Sequence, residues 1–278
     1  MHVLLVGHPV SHSFSPLMQN AAFEALELPH LYSAEDTGAA DLAGTIRRLR
    51  DGRHLGANVT VPYKLAVVPV MDAVDSDVRL LGALNTIVAT DGRLSGYNTD
   101  VDGAWEGLLQ PVRDSLRGAR VLLLGAGGGA RAVLLALTRC REDGPREVAV
   151  TARRPEAASA AVELGTDLGL GCVAVGWGGL GEAMRTSDVV VNCTPLGLGE
   201  EDPLEGISLT GRVVLDLAYR RAGTRLFQRA LSEAAIALQG DDMLLHQGAA
   251  AFHLWTGLDA PLEPMRRALA EALAESVG

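Results

Sequence analysis

Two stretches of this chain carry residue types and spacings that can do chemistry. The first is Val121-Leu122-Leu123-Leu124-Gly125-Ala126-Gly127-Gly128-Gly129-Ala130, which places G-x-G-x-x-A directly after a strand-like run and at the start of a helical one. Gly125 permits a tight turn, Gly127 lets backbone N–H groups close on a pyrophosphate, and Ala130 permits close packing of helix on strand. A glycine-rich strand-to-helix turn that binds nothing is the plainer alternative, but a further βα unit follows and favours a dinucleotide. The second strand of that unit ends Thr151-Ala152-Arg153-Arg154, without the Asp or Glu that would take the ribose hydroxyls of NAD. Two guanidiniums at that point suit a 2′-phosphate, so NADP is the expected cofactor; the alternative is a pair of solvated charges ahead of a helix.

The second stretch lies in the first hundred residues. Gly7-His8-Pro9-Val10-Ser11-His12-Ser13-Phe14-Ser15-Pro16 follows an apolar run, and in an extended segment Ser13 and Ser15 project to one side. Two hydroxyls beside a helix that starts at Pro16 can hold a carboxylate, although Ser15 also stands where an N-cap should stand. Asn58-Val59-Thr60-Val61-Pro62-Tyr63-Lys64 ends another strand with polar groups at alternate positions and then offers a lone lysine, read here on the first turn of a short helix, Lys64–Met71. Asn85-Thr86 and Asn98-Thr99-Asp100 close two more strand-like runs. Open α/β sheets bind ligands beyond the carboxyl ends of their strands, so these groups can converge at one edge. Asp100 has a second reading as the N-cap of a helix Val101–Leu109.

These residues need a scaffold, and the apolar pattern supplies one. Short apolar runs alternate with helical periodicity, the pattern of α/β units around a mostly parallel sheet. Strands are expected at His2–Val6, Leu31–Ala34 and Leu55–Val59, helices at Pro16–Leu28 and Ala39–Arg50, and a hairpin of Ala83–Ala89 with Arg93–Tyr97 around Asp91-Gly92. A second alternation starts after Gly118: strands at Arg120–Leu124, Glu147–Thr151, Cys172–Val175, Val189–Cys193, Val213–Leu217 and Ile236–Leu238, with helices around Ala130–Arg141, Pro155–Leu168 and Gly181–Thr186. This is a doubly wound sheet. Two helices, Asp241–Trp255 and Leu262–Glu275, follow with no later strand and are expected to pack back on the first domain. The fold class is therefore α/β with two domains: 1–101 plus 239–278 for substrate, and a Rossmann-type domain, 102–238, for the dinucleotide.

Composition excludes several classes. The 278 residues are 48% apolar and 21% charged, as in ordinary globular proteins, and the net charge of -10 with no basic run argues against nucleic acid. Aromatics at 4% offer no base-stacking platform. Cys140, Cys172 and Cys193 form no CxxC pair, and His8, His12 and His246 have no metal-ligand spacing, so no metal is expected and a reducing cytoplasm fits. No signal peptide and no stretch apolar enough for a membrane helix is read. Trp105, Trp177 and Trp255 are read as packing residues.

Taken together, Ser13-Phe14-Ser15-Pro16, Asn58 to Lys64, Gly82-Ala83-Leu84-Asn85-Thr86, Asn98-Thr99-Asp100, Gly125-Ala126-Gly127-Gly128, Asn192-Cys193-Thr194-Pro195-Leu196-Gly197, Asp216-Leu217-Ala218-Tyr219 and Gly240 to Ala249 resemble the shikimate dehydrogenase family, in order and over nearly the whole chain. The resemblance implies NADP-dependent interconversion of 3-dehydroshikimate and shikimate, with Lys64 and Asp100 as the catalytic pair. It implies substrate contacts from Ser13, Ser15, Thr60, Asn85, Tyr219 and Gln247. For the cofactor it implies Gly125, Ala126, Gly127, Gly128, Gly129, Ala130, Arg153, Leu217 and Gly240, with Ala152 and Arg154 where the family commonly has Asn and Thr. A small-molecule substrate, no nucleic acid, no membrane, and a monomer or homodimer are the expected partners.

Reducing a ketone needs a proton for the developing alkoxide, and the Lys64 ammonium can both steady that oxygen and supply the proton. Asp100 would orient the lysine and bond the substrate; which member of the pair holds the proton is left open. A paralogue that takes quinate or NAD, a non-catalytic NADP sensor, and a folate-linked dehydrogenase are the competing readings, and the last does not account for Ser13 and Ser15.

Overall fold

The computed structural model describes residues 1–274 apart from Glu200, Arg221, Ala234 and Ala235, and Glu275 of the expected last helix lies outside the described residues. The chain divides into two compact units: Met1–Asp100 with the residues from Leu244 on, and Val101–Met243.

The first unit is built on strands β1 (His2–Gly7), β2 (Leu31–Asp36), β3 (His54–Val59), β4 (Ala73–Val74), β5 (Thr86–Thr90) and β6 (Arg93–Tyr97), in the order β2-β1-β3-β5-β6-β4. The sheet is mixed, with three parallel and two antiparallel pairings. β1 pairs parallel with β2 and β3, but β5 runs antiparallel to both β3 and β6. The cause is the hairpin: Asp91 and Gly92 both take positive φ, as a tight two-residue turn between twisted strands requires.

Alternation along β1 feeds two cores. Val3 and Leu5 join Met18, Phe23, Phe252, Trp255, Met265 and Leu269, whereas Leu4 and Val6 join Ile46, Leu49, Val59, Val78, Ile87 and Leu94. The first core binds helix Ser15–Ala25 to the C-terminal helices Gly240–Thr256 and Leu262–Ala274, so the chain's end covers the same sheet face as its first helix. Phe23 and Phe252 seal that contact with ring centroids 5.4 Å apart.

The second unit carries six parallel strands among its described residues: β7 (Arg120–Leu124), β8 (Glu147–Ala152), β9 (Cys172–Gly176), β10 (Val189–Asn192), β11 (Val213–Asp216) and β12 (Ile236–Gln239). Their order, β12-β11-β10-β7-β8-β9, reverses direction between β7 and β10, the switch point of a doubly wound Rossmann-type sheet. Val121 to Leu124 and Val189 to Val191 are fully buried, as strands covered on both faces must be.

Several local expectations change. Lys64–Met71 is no helix; it is a series of turns ending in one 3-10 turn, Val68–Val70. Pro69 has no amide hydrogen, and Val67, Val68 and Val70 are β-branched, so the segment cannot sustain an α-helical ladder. Val101–Leu109 becomes a short α-helix, Asp100–Ala104, running into a π-turn over Trp105–Leu109. Ala130–Arg141 begins earlier, at Gly128, and after Leu137 tightens into a 3-10 segment, Thr138–Asp143. Helices Ser76–Leu81, capped by Asp75, and Arg225–Ser232, capped by Thr224, add to the expected set, as does the two-residue β4.

Candidate active site

Lys64 and Asp100 meet in the first unit. The Lys64 ammonium donates to Asp100 Oδ2 at 2.5 Å, and both side chains are largely buried, at 21% and 10% exposure. The other carboxylate oxygen, Oδ1, accepts from Asn85 Nδ2 at 2.9 Å. Asn85 Nδ2 also reaches Thr99 Oγ1 at 3.0 Å and Gln247 Oε1 at 3.3 Å, while Gln247 Nε2 is tied to the carbonyl of Leu244. Four of the expected residues, Lys64, Asp100, Asn85 and Gln247, thus form one bonded group.

Asp100 does not cap its helix with its side chain. It is the first helical residue, and its amide donates to Asn98 Oδ1 at 3.2 Å. The Asn98 side chain takes over that role and leaves the Asp100 carboxylate for Lys64 and Asn85.

The serine pair is also arranged differently from expectation. The backbone bends at Phe14, which has helical dihedrals, so Ser13 and Ser15 do not share a side by strand alternation. Ser15 is the first residue of its helix, and Ser13 Oγ accepts its amide at 3.3 Å. Ser15 is buried and reaches the Tyr32 phenol, whereas Ser13 is half-buried. Thr60 follows β3 directly, its amide bonded to the Val6 carbonyl at 2.9 Å and its side chain half-buried.

In the second unit the glycine loop lies where β7 ends. Gly125 has φ +102, and its amide bonds the Thr151 carbonyl at the end of β8. A Cβ on Gly127 or Gly128 would meet nothing within 4 Å, so open space stands beside the start of helix Gly128–Leu137, which no side chain caps. Uncapped first-turn N–H groups facing open space fit a pyrophosphate. Ala126 is half-buried in this loop, and Ala130 is fully buried against the sheet. Ala152 ends β8, and the exposed Arg153 and Arg154 follow, their guanidiniums without a hydrogen-bond or ion-pair partner among the described residues, which fits the binding of a phosphate.

Leu217, Gly129 and Gly240 converge. A Cβ on Gly240 would lie 2.1 Å from the Leu217 carbonyl oxygen, and one on Gly129 would lie 2.9 Å from Leu217 Cδ2. Tyr219, two residues on, is half-buried; burial and the nearby Asp241 charge push its phenol up to about 12.

Sequence reasoning missed a buried carboxylate at the same sheet edge. Asp216 accepts from Asn192 Nδ2 at 2.8 Å, Thr224 Oγ1 at 2.6 Å and the Ala218 amide at 3.1 Å, all neutral donors. Burial therefore pushes it up to about 6, against the pull of those bonds. The signal was the Asn192 and Asp216 positions at two strand ends. Also missed was Tyr32, which bonds Asn58; Thr86 and Thr99, expected only as polar groups at strand ends, bond around Asn58 and Asn85.

Residues 5–87 match the family described as shikimate dehydrogenase substrate binding domain, and residues 242–270 match the shikimate 5′-dehydrogenase C-terminal domain. A shikimate dehydrogenase (NADP(+)) of Moorella thermoacetica is 42% identical, over 99% of this chain and 95% of that protein. The shikimate 5-dehydrogenase of Thermus thermophilus, solved in complex with NADP(H) and shikimate, superposes with a TM-score of 0.83 at 36% identity, over 98% of this chain and 99% of that one. A quinate dehydrogenase of Corynebacterium glutamicum, solved with NAD, superposes with a TM-score of 0.87 at 28% identity, over 98% of this chain and 99% of that one. With the bonded group around Lys64 and Asp100 in one unit and a phosphate-ready glycine loop in the other, the chain belongs to the shikimate dehydrogenase family.

Proposed function

We propose that this protein is a shikimate dehydrogenase, an oxidoreductase that interconverts shikimate and 3-dehydroshikimate with NADP, in the biosynthesis of aromatic amino acids. The observation that carries the reading is the Lys64–Asp100–Asn85 group, an ammonium, a carboxylate and an amide fixed against one another.

The nicotinamide supplies or accepts the hydride. Lys64 spends one N–H on Asp100 and keeps the others for the substrate oxygen, where it steadies the developing alkoxide and delivers the proton. Asp100, accepting from Lys64 on one oxygen and Asn85 on the other, retains lone pairs that accept a substrate hydroxyl. Ser13 and Ser15 hold the carboxylate, Thr60, Asn85 and Gln247 the ring hydroxyls, and Tyr219 completes the substrate contacts. Gly125 to Ala130 take the pyrophosphate, Ala152 to Arg154 the adenosine end with its 2′-phosphate, and Leu217 and Gly240 the nicotinamide end.

Among the described residues no helix is long and apolar enough to cross a membrane. A cytoplasmic place and a monomer or homodimer complete the reading. Quinate with NAD is the second reading, favoured by the likeness to the quinate enzyme and opposed by the two guanidiniums after β8. Rates with each pairing of shikimate or quinate with NADP or NAD decide between them.

A further inference from the structure

The Lys64–Asp100 pair is the inner end of a longer buried chain of hydrogen bonds that begins at Tyr32, on the edge strand β2. The Tyr32 phenol bonds Asn58 Oδ1 at 2.8 Å. Asn58 Nδ2 bonds the Asn85 carbonyl at 3.1 Å and Thr86 Oγ1 at 3.0 Å. Thr86 Oγ1 in turn bonds Asn85 Oδ1 at 3.0 Å.

Two backbone groups set the orientation of both side-chain amides, and the Thr86 hydroxyl lies between them, also 3.1 Å from Thr99 Oγ1. The Asn85 carbonyl can only accept, so the Asn58 amide nitrogen must face it, Asn58 Oδ1 must face Tyr32, and the phenol must donate. The Thr99 amide can only donate, at 2.8 Å, so Asn85 Oδ1 must face it and Asn85 Nδ2 must face Asp100. Donors therefore run one way, from Tyr32 through Asn58, Thr86 and Asn85 to the carboxylate that holds Lys64. Chains of bonds aligned in this way strengthen one another in a low-dielectric interior.

Tyr32 is held firmly enough to start such a chain. On the open side of the edge strand its backbone is bonded twice by Asn20, amide to Oδ1 at 2.8 Å and carbonyl to Nδ2 at 2.9 Å, and its side chain is 1% exposed. Burial pushes the phenol far above its ordinary pKa, the contact with Ser15 offsetting only part, so the proton stays on.

We propose that Tyr32 is a positioning residue for the Lys64–Asp100 pair: its hydroxyl anchors the Asn58 side chain beside the Asn85 carbonyl and, through Thr86, reinforces the Thr99 amide in holding the Asn85 amide in the orientation that donates to Asp100. The role rests on the shikimate dehydrogenase reading. Tyr32→Phe removes one oxygen and leaves the ring, stranding Asn58 Oδ1 in the interior; kcat with shikimate falls about tenfold, the KM for NADP staying within about twofold. Thr86→Val cuts the same chain and has the same effect. The double variant is no slower than about twofold below either single one, because the second cut severs a chain already broken.

Wild-type protein inactive with shikimate and NADP defeats the functional reading and the positioning role with it. An active wild type with Tyr32→Phe folded and within about twofold in kcat overturns the positioning role alone, as do two losses that multiply to about a hundredfold in the double variant. Should Tyr32→Phe not fold, Thr86→Val decides: a kcat about tenfold down supports the chain, and one within about twofold of wild type overturns it.

Discussion

Lys64 and Asp100 stand 36 residues apart in sequence, yet the ammonium and carboxylate meet at 2.5 Å. The antiparallel hairpin of β5 and β6 makes this possible by returning the chain beside β3, so that the residues after β3 and after β6 reach one edge. Lys64→Ala removes the only cation bonded to Asp100 among the described residues. Because proton transfer and alkoxide stabilisation act in the transition state, kcat falls about a thousandfold while shikimate binding by calorimetry is largely kept. Near-normal turnover would remove Lys64 from the mechanism.

Ser13→Ala acts on binding instead. Its hydroxyl is half-buried and accepts the Ser15 amide, and in the proposed function it holds the substrate carboxylate, so its loss is expected to act on binding. The KM for shikimate rises about tenfold with kcat changed far less. An unchanged KM in steady-state kinetics contradicts the assignment.

Arg153→Ala and Arg154→Ala test the phosphate. Both guanidiniums are exposed, so their attraction is salt-screened. The double variant raises the KM for NADP by about a hundredfold, leaves that for NAD nearly unchanged, and loses the salt dependence of NADP binding. Equal losses for both cofactors would place the arginines elsewhere.

Asp216 makes stability depend on pH. Its carboxyl, raised from 3.8 to about 6, holds a proton more tightly in the folded chain than in the unfolded one. Its contribution is therefore complete below about pH 4 and lost as pH rises through about 6. A pKa raised by about two corresponds to about 3 kcal/mol of stability. Urea unfolding of wild type and Asp216→Asn across this window gives curves that diverge by that order, the wild type losing ground as pH rises. Parallel curves would show that Asp216 titrates as in an unfolded chain.

Much of this is legible in the sequence because the signals are local. The buried run Val121 to Leu124, the glycines after it and the Asp91-Gly92 turn each carry their own periodicity or dihedral demand, and their elements form where expected. The apolar neighbours of Lys64 suggest a helix, but Pro69 and three valines outweigh them in a helical ladder. Tyr32 is invisible as a site residue. In a strand it reads as core, and only the order β2-β1-β3 with both pairings parallel brings its hydroxyl to Asn58. The capping roles expected of Asp100 and Ser15 fall to Asn98 and Ser13, because a cap one or two residues upstream has the same sequence signature.

The central claim is tested most directly by following reduced-cofactor formation by absorbance with shikimate and NADP, wild type beside Lys64→Ala. The account predicts rapid NADP reduction by the wild type, little with NAD or quinate, and almost none by the variant. Measurable NADP binding without shikimate oxidation, or a variant as fast as wild type, would contradict it.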